Sequence, residues 1–201
     1  MLNAKPAPIP LPTGYMPIPG TRAANPTLHT CFQQIIGSLM YLMIGTHPDI
    51  CFAVIKLAQM TANPTQEHID KALYMLCYLV GTSNYAIVYN GSSNQGLVAW
   101  TDSDWANNQK AAKSCSQTGY FMKLANGIIM WNSRKQHTVA MSSTEAKYMA
   151  LSDCLYQCVW LSYIFEECKL PSLLPVPVNG NNQGSIFMRQ NPITKEWSKH
   201  I

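Results

Sequence analysis

The chain has 201 residues, of which 12% are charged and 47% apolar, with 14 Lys and Arg against 10 Asp and Glu for a formal net charge of +4. That apolar content can fill one compact core, or a small domain with an appendage, and it excludes disorder throughout. The longest unbroken apolar run, Ala72 to Val80, falls far short of the ~18 residues of a membrane helix, and no dense Lys/Arg block argues for a polyanion partner on charge alone.

Lys5 followed by alternating prolines lacks the apolar segment of a signal peptide, so the expected location is intracellular, cytoplasmic or nuclear, and not secreted. Residues 1–26 hold seven of the thirteen prolines and predict an extended arm or linker, because a stretch so short of backbone donors forms neither a helix nor a central strand. From Thr30 to Gly81 the punctuation becomes helical. Cys31 to Ile44 is mostly apolar, Pro48 suits the first turn of a second helix, and Asn63-Pro64 closes it. A third helix is predicted from an N-cap at Thr65 to a stop at Gly81, with Ile69, Ala72, Leu73, Leu76, Leu79 and Val80 at 3/4 spacing.

After Gly81 the period becomes strand-like. Strands are predicted at Tyr85 to Tyr89, Leu97 to Thr101, Thr118 to Leu124 and Ile128 to Ser133, with a turn at Asn90-Gly91 and a hairpin through Asn126-Gly127. Ser142-Ser143-Thr144-Glu145 opens a long helix, whose apolar face is read as Tyr148, Met149, Leu151, Leu155, Cys158, Val159, Leu161, Ile164 and Phe165. Pro171 and Pro175 precede a short strand, Val176 to Val178, and a weak helix from Gln183 to Arg189. Strands, then a helix, then a returning strand predict an α/β unit with a crossover, preceded by a small helical unit.

The seven cysteines are odd in number and include no Cys-x-x-Cys pair, which reads as reduced thiols, with Cys154 and Cys158 as small buried residues sharing a helix face. Acidic residues are few enough to weigh one by one. Asp102 ends an apolar strand and Glu145 stands at the start of the long helix. Together they could hold a hard cation such as Mg²⁺; separately, Glu145 completes a capping box and Asp102 is an exposed strand-end residue. Lys110, Lys113, Arg134 and Lys135 stand in or beside turns and strand ends where phosphates could be met, and Trp105 and Trp131 could stack on bases. The competing reading is solvated turn cations and core-facing tryptophans. His137 reads as a surface residue, and Ser142 to Thr144 as a helix cap, not a nucleophile.

Several runs resemble copia-type retrotransposon Pol polyproteins. Ile36-Gly37-Ser38-Leu39-Met40-Tyr41-Leu42, Thr46-His47-Pro48-Asp49-Ile50-Cys51-Phe52-Ala53-Val54 and Tyr78-Leu79-Val80-Gly81-Thr82 are similar to the segment that follows the polymerase palm. Thr101-Asp102-Ser103-Asp104-Trp105-Ala106, Ser142-Ser143-Thr144-Glu145-Ala146, Asn182-Gln183-Gly184-Ser185-Ile186, Asn191-Pro192 and Lys199-His200-Ile201 resemble that family's ribonuclease H domain, in the same order.

The resemblance implies an arm at 1–26, a helical connection at 27–90 and a ribonuclease H-like mixed sheet with flanking helices at 91–201. It also implies cleavage of the RNA strand of RNA·DNA hybrids by two bound Mg²⁺ or Mn²⁺ ions. Asp102 and Glu145 would then be metal ligands. The third ligand position falls on Asn181, where the family has aspartate, and the fourth is expected just after Lys199-His200-Ile201. Lys113, Arg134, Lys135, Asn182 and Gln183 would face nucleic acid. An amide at position 181 offers one neutral oxygen in exchange for a charged carboxylate, so the implied protein is a truncated, degenerate Pol fragment with impaired hydrolysis. No Tyr-x-Asp-Asp polymerase signature is present. The alternative is a module that binds nucleic acid, or assembles with other Pol domains, without chemistry.

Overall fold

A computed structural model of the chain describes residues 5–21, 25–91, 96–105 and 115–181. The chain divides into two compact units, Met1–Ile87 and Val88–Ile201.

The first unit is helical. Helix α1, Pro26–Gly45, starts with proline at its first position, and the Asn25 side chain accepts from the Thr27 N–H at 2.9 Å. The Thr46 and His47 N–H groups both donate to the Leu42 carbonyl and close it. A 3₁₀ turn, Pro48–Ile50, leads into α2, Cys51–Ala58, and α3 follows at Gln66–Gly81. Phe32, Ile36, Leu39 and Met43 recur at helical spacing along α1 and are buried, as are Ala53, Val54 and Leu57 of α2. The buried stripe of α3 is His68, Ile69, Ala72, Met75 and Tyr78. It is rotated from the stripe predicted by hydropathy, and Leu73 is exposed. The rotation brings the Tyr78 hydroxyl to the Asp49 carboxylate, to which it donates at 2.9 Å; burial and then this bond push the phenol up to about 12.

The proline-rich arm forms no helix or strand in its described part, 5–21, yet it is not a free linker. The Ala7 N–H donates to the Cys77 carbonyl, the Lys71 ammonium lies 5.1 Å from the Tyr15 ring centroid, and Gly20 and Asn63 exchange hydrogen bonds. A Cβ on Gly81 would fall 2.8 Å from Pro6 Cβ, so Gly81 serves a close approach of the arm as well as the helix end.

The second unit is an α/β structure. Its sheet contains β1 (Val98–Asp104), β2 (Gln117–Leu124), β3 (Gly127–Lys135) and β4 (Val178–Asn179) in the order β3-β2-β1-β4. The first three pair antiparallel, and β4 joins β1 in parallel after helix α4, Ser143–Glu167. Within the hairpin Leu124 pairs with Gly127, so the two turn residues are Ala125 and Asn126, both left-handed at φ 50° and 64°, and the turn is not the predicted Asn-Gly. Gly127 instead makes room for Tyr89, whose ring carbons lie where a Cβ would stand.

Residues 85–89 are not a strand. Asn90 N–H donates to the Ala125 carbonyl and the Tyr89 hydroxyl to the Ile128 carbonyl, so these two residues brace the hairpin turn without entering the ladder. The strand predicted at 176–178 is shifted to Val178–Asn179, because Pro175 and Pro177 have no N–H to give; the Pro177 carbonyl still accepts from Ala99 at 2.9 Å. The helix predicted at 183–189 lies outside the described residues.

Helix α4 buries Cys154, Cys158 and Leu161 as expected, but the rest of its expected face is rotated. Ala146, Ala150, Cys154, Cys158 and Leu161 are buried, whereas Leu155, Val159, Trp160 and Tyr163 are exposed. Small side chains let the helix axis approach the sheet, where Cys154, Cys158 and Leu161 meet Leu97, Ala99, Tyr120 and Met122. The hydrogen bond with Cys158 and burial hold the Cys154 thiol well above its usual range, keeping it protonated as part of the core. All seven cysteines are free thiols.

The start of α3 sets a pH dependence. The Thr65 N–H donates to His68 Nδ1 at 3.0 Å, which requires that nitrogen to be unprotonated. Burial lowers the His68 pKa, with Glu67 opposing. The unfolded chain takes up the proton near pH 6.5 and the folded one only lower. Stability is therefore complete above about pH 6.5 and declines as the pH falls through the lowered value. Thermal melts of the native chain should show this acid loss. His68→Gln, which keeps an acceptor without titrating, should flatten it; equal acid slopes in the two chains would refute the cap's role.

Candidate functional site

The site forms where two parallel strands end at the same edge. Asp102 lies near the end of β1, and the chain leaving β4 passes through Gly180 to Asn181 beside it. The Asn181 amide donates to Asp102 Oδ2 at 3.4 Å. Asp102 Oδ1 accepts from the Ser103 N–H at 2.8 Å and lies 3.3 Å from Lys147 Nζ. Lys147 Nζ in turn donates to Asn181 Oδ1 at 2.5 Å. The three side chains form a closed circuit of matched donors and acceptors. With the Asp102 side chain 59% exposed, water screens the ion pair, whose contribution to stability is about 0–1 kcal/mol.

Glu145 is engaged elsewhere. Its N–H donates to Ser142 Oγ at 3.1 Å, and its Oε2 accepts from the Met141 N–H at 2.7 Å, which makes it part of the α4 cap. The reason is helical geometry. Glu145 and Lys147 flank the buried Ala146 on opposite sides of the helix, and the Lys147 side meets Asp102 and Asn181. Gln136 fixes that register by donating to the Ala146 carbonyl at 2.8 Å and to Thr118 Oγ1 at 3.0 Å.

Lys147 is the residue that sequence reading missed. A signal was available, since it is the one basic residue of α4 and stands near the helix N-terminus, where the backbone dipole disfavours a cation. Such a lysine calls for a carboxylate partner.

Arg134 is also committed. Its guanidinium grips Asp153 through two bonds, Nη2 to Oδ1 at 2.5 Å and Nε to Oδ2 at 3.2 Å, which ties β3 to α4. Lys135 is exposed at the end of β3, and Asp104 is exposed at the end of β1. Trp105 is partly exposed and donates to the Ala140 carbonyl at 3.2 Å, and His137 lies on the surface as predicted. Lys113, Asn182 and Gln183 lie outside the described residues. Sequence reading also passed over a cross-strand aromatic pair: Trp100 stacks on Phe121 at 4.9 Å and 8°, beneath the Lys123 ammonium, with Trp131 next in register on β3.

A divalent ion does not suit the donors present. Among the described residues no three His, Cys, Asp or Glu side chains converge as metal ligands. Around Asp102 the other groups are a neutral amide and an ammonium, and the ammonium repels a second cation.

No protein-family model matches the chain. It is 33% identical over 203 residues to the retrovirus-related Pol polyprotein from transposon RE1 of Arabidopsis thaliana, covering 100% of this chain and 13% of that protein. It is 32% identical over 209 residues to the corresponding polyprotein from transposon TNT 1-94 of Nicotiana tabacum, covering 100% of this chain and 15% of that protein. A third relative, secreted RxLR effector protein 161 of Plasmopara viticola, is 40% identical over 131 residues, 65% of this chain and 91% of its own length. The chain belongs to the Pol polyproteins of copia-type retrotransposons. It spans 13 to 15% of the length of the Pol relatives it matches. No helix among the described residues is long and apolar enough to cross a membrane.

The capping role of Glu145 is testable. Ser142→Ala should cost about 1 kcal/mol in denaturant unfolding. Glu145→Ala should also destabilise, by the same amount with and without Mg²⁺; a cost that appears only when Mg²⁺ is present would identify a metal ligand.

Proposed function

We propose that the second unit is a ribonuclease H-like domain whose ancestor cleaved RNA in RNA·DNA hybrids by two-metal hydrolysis, and that this chemistry is lost or strongly impaired here. Membership of the Pol family supports the ancestry. Three antiparallel strands, a helix and a fourth strand parallel to the first are compatible with that fold. The carrying observation is the amide of Asn181, 3.4 Å from the Asp102 carboxylate. In two-metal hydrolysis one ion activates the attacking water and the other stabilises the leaving oxygen, and both need clustered negative charge. Asp102 supplies one negative charge and Lys147 cancels it.

A second reading, a nucleic-acid-binding or Pol-assembly module without chemistry, is favoured by the Trp100–Phe121 stack and the Lys123 cation beside it. Aromatic faces accept bases, and lysines meet phosphates, without any metal. Lys135 would add to such a surface, whereas Arg134 would first have to leave Asp153.

One assay separates the readings. The native chain is incubated with labelled RNA·DNA hybrid and Mg²⁺ or Mn²⁺, and retention of the hybrid is followed against salt. Impaired chemistry predicts no cleavage above background; cleavage that Asp102→Ala abolishes would overturn it. The binding module predicts affinity that falls steeply with salt. Absence of any binding to hybrid, duplex or single strand at low salt would remove that reading.

A further inference from the structure

We infer that the Lys147 ammonium is the resident cation of the Asp102–Asn181 site, standing where a divalent ion would have to bind and excluding it. The inference rests on the site geometry and holds whether or not an ancestor of this chain cut RNA.

Three observations carry it. The donors and acceptors are matched: an ammonium has donors only, and Lys147 Nζ faces two oxygens, Asp102 Oδ1 at 3.3 Å and Asn181 Oδ1 at 2.5 Å. The Asn181 amide is turned so that its oxygen meets the ammonium while its NH₂ group meets Asp102 Oδ2 at 3.4 Å. In that orientation a metal ion approaching Asp102 meets an amide NH₂ group, which cannot be a ligand.

The charges also close. One carboxylate and one ammonium sum to zero, so an arriving ion would find no net charge to neutralise. An aspartate at 181 would leave a negative balance even with Lys147 present. The lysine and the amide are thus mutually consistent, and each alone weakens a metal site.

Finally, access is not the barrier. The Asp102 side chain is 59% exposed and that of Lys147 22%, so ions in solution can reach the carboxylate. What excludes them is occupancy by the tethered charge. Lys147 also holds three segments together at one point, since β1, the stretch just after β4 and the first turns of α4 each contribute one member of the circuit. The unfavourable position of a lysine near a helix N-terminus is offset by that carboxylate.

The test measures metal binding and not cleavage, so its outcome is independent of the hybrid assay. Mn²⁺ is titrated calorimetrically into the native chain, Lys147→Gln, Asn181→Asp, Lys147→Met/Asn181→Asp and the double variant carrying Asp102→Asn, with folding checked by circular dichroism. The native chain should show no saturable site. The double variant should gain one, at least about tenfold tighter than any binding by the native chain, because two unit charges have shifted within ~4 Å of the ion. Asp102→Asn should abolish the gain. Should the double variant fail to fold, Lys147→Gln alone must strengthen Mn²⁺ binding by a smaller factor. A saturable Mn²⁺ site in the native chain that Asp102→Asn removes would overturn the inference. So would a folded double variant with no gain, or, where the double variant does not fold, a Lys147→Gln isotherm identical to the native one.

Discussion

Two backbone pairings, Ala99 with Val178 and Trp100 with Asn179, attach β4 to β1 in parallel, and the candidate site depends on them. Parallel strands end at the same edge, so whatever follows β4 is delivered beside whatever ends β1. The join is short because two prolines precede it, and it is reinforced by the Asn179 amide, which donates to the Ala99 carbonyl at 3.3 Å. Without this pairing nothing would hold Asn181, two residues beyond β4, beside Asp102, which would be an isolated strand-end carboxylate. With it, side chains 79 positions apart come within hydrogen-bonding distance.

The second determinant is the run of small residues along α4. Ala146, Ala150, Cys154 and Cys158 let the helix lie close against Ala99, Tyr120 and Met122, and the Gln136 side chain locks the first turn to β2. Close approach then sets the rotation of the helix, and the rotation chooses between Glu145 and Lys147. A helix rotated to bury its bulky side chains would put a different residue at the sheet edge. The cost of the observed choice is an outer surface carrying Leu155, Tyr156, Val159, Trp160 and Tyr163 where a soluble helix more often has charges. The low charge of the whole chain is partly this surface, and partly the exposed Tyr41 and Ile44 of α1.

Much of the fold was legible because local rules and tertiary structure agree. Pro48 in the turn after α1, Thr65 before α3 and Ser142 before α4 all stand at element starts for the reasons their chemistry gives, whereas α1 begins at Pro26, inside the expected arm, because proline at a first helical position lacks only a donor the helix does not use. The misread places share a cause. The unbroken apolar run Tyr85 to Tyr89 suits a strand, but a strand exists only where a ladder receives it, and here Asn90 and Tyr89 instead bind the hairpin turn. The hydropathy of α4 favours a face that includes Leu155 and Val159, whereas the sheet selects Ala146 and Ala150 beside the expected Cys154, Cys158 and Leu161. The arm was read as a linker because prolines exclude regular structure, a property that says nothing about whether the arm is packed.

Local pattern is enough for most element types, for the α/β order and for the family to which the chain belongs. These follow from properties that residues carry with them: missing N–H groups, capping oxygens, periodicities and runs of identical residues. Only the packed fold settles which residue of α4 reaches Asp102, Lys147 and not Glu145, whose capping box is already legible locally. That choice depends on helix rotation against the sheet and on the parallel pairing of β4. Both are set by contacts between residues far apart in the chain, which no local pattern encodes.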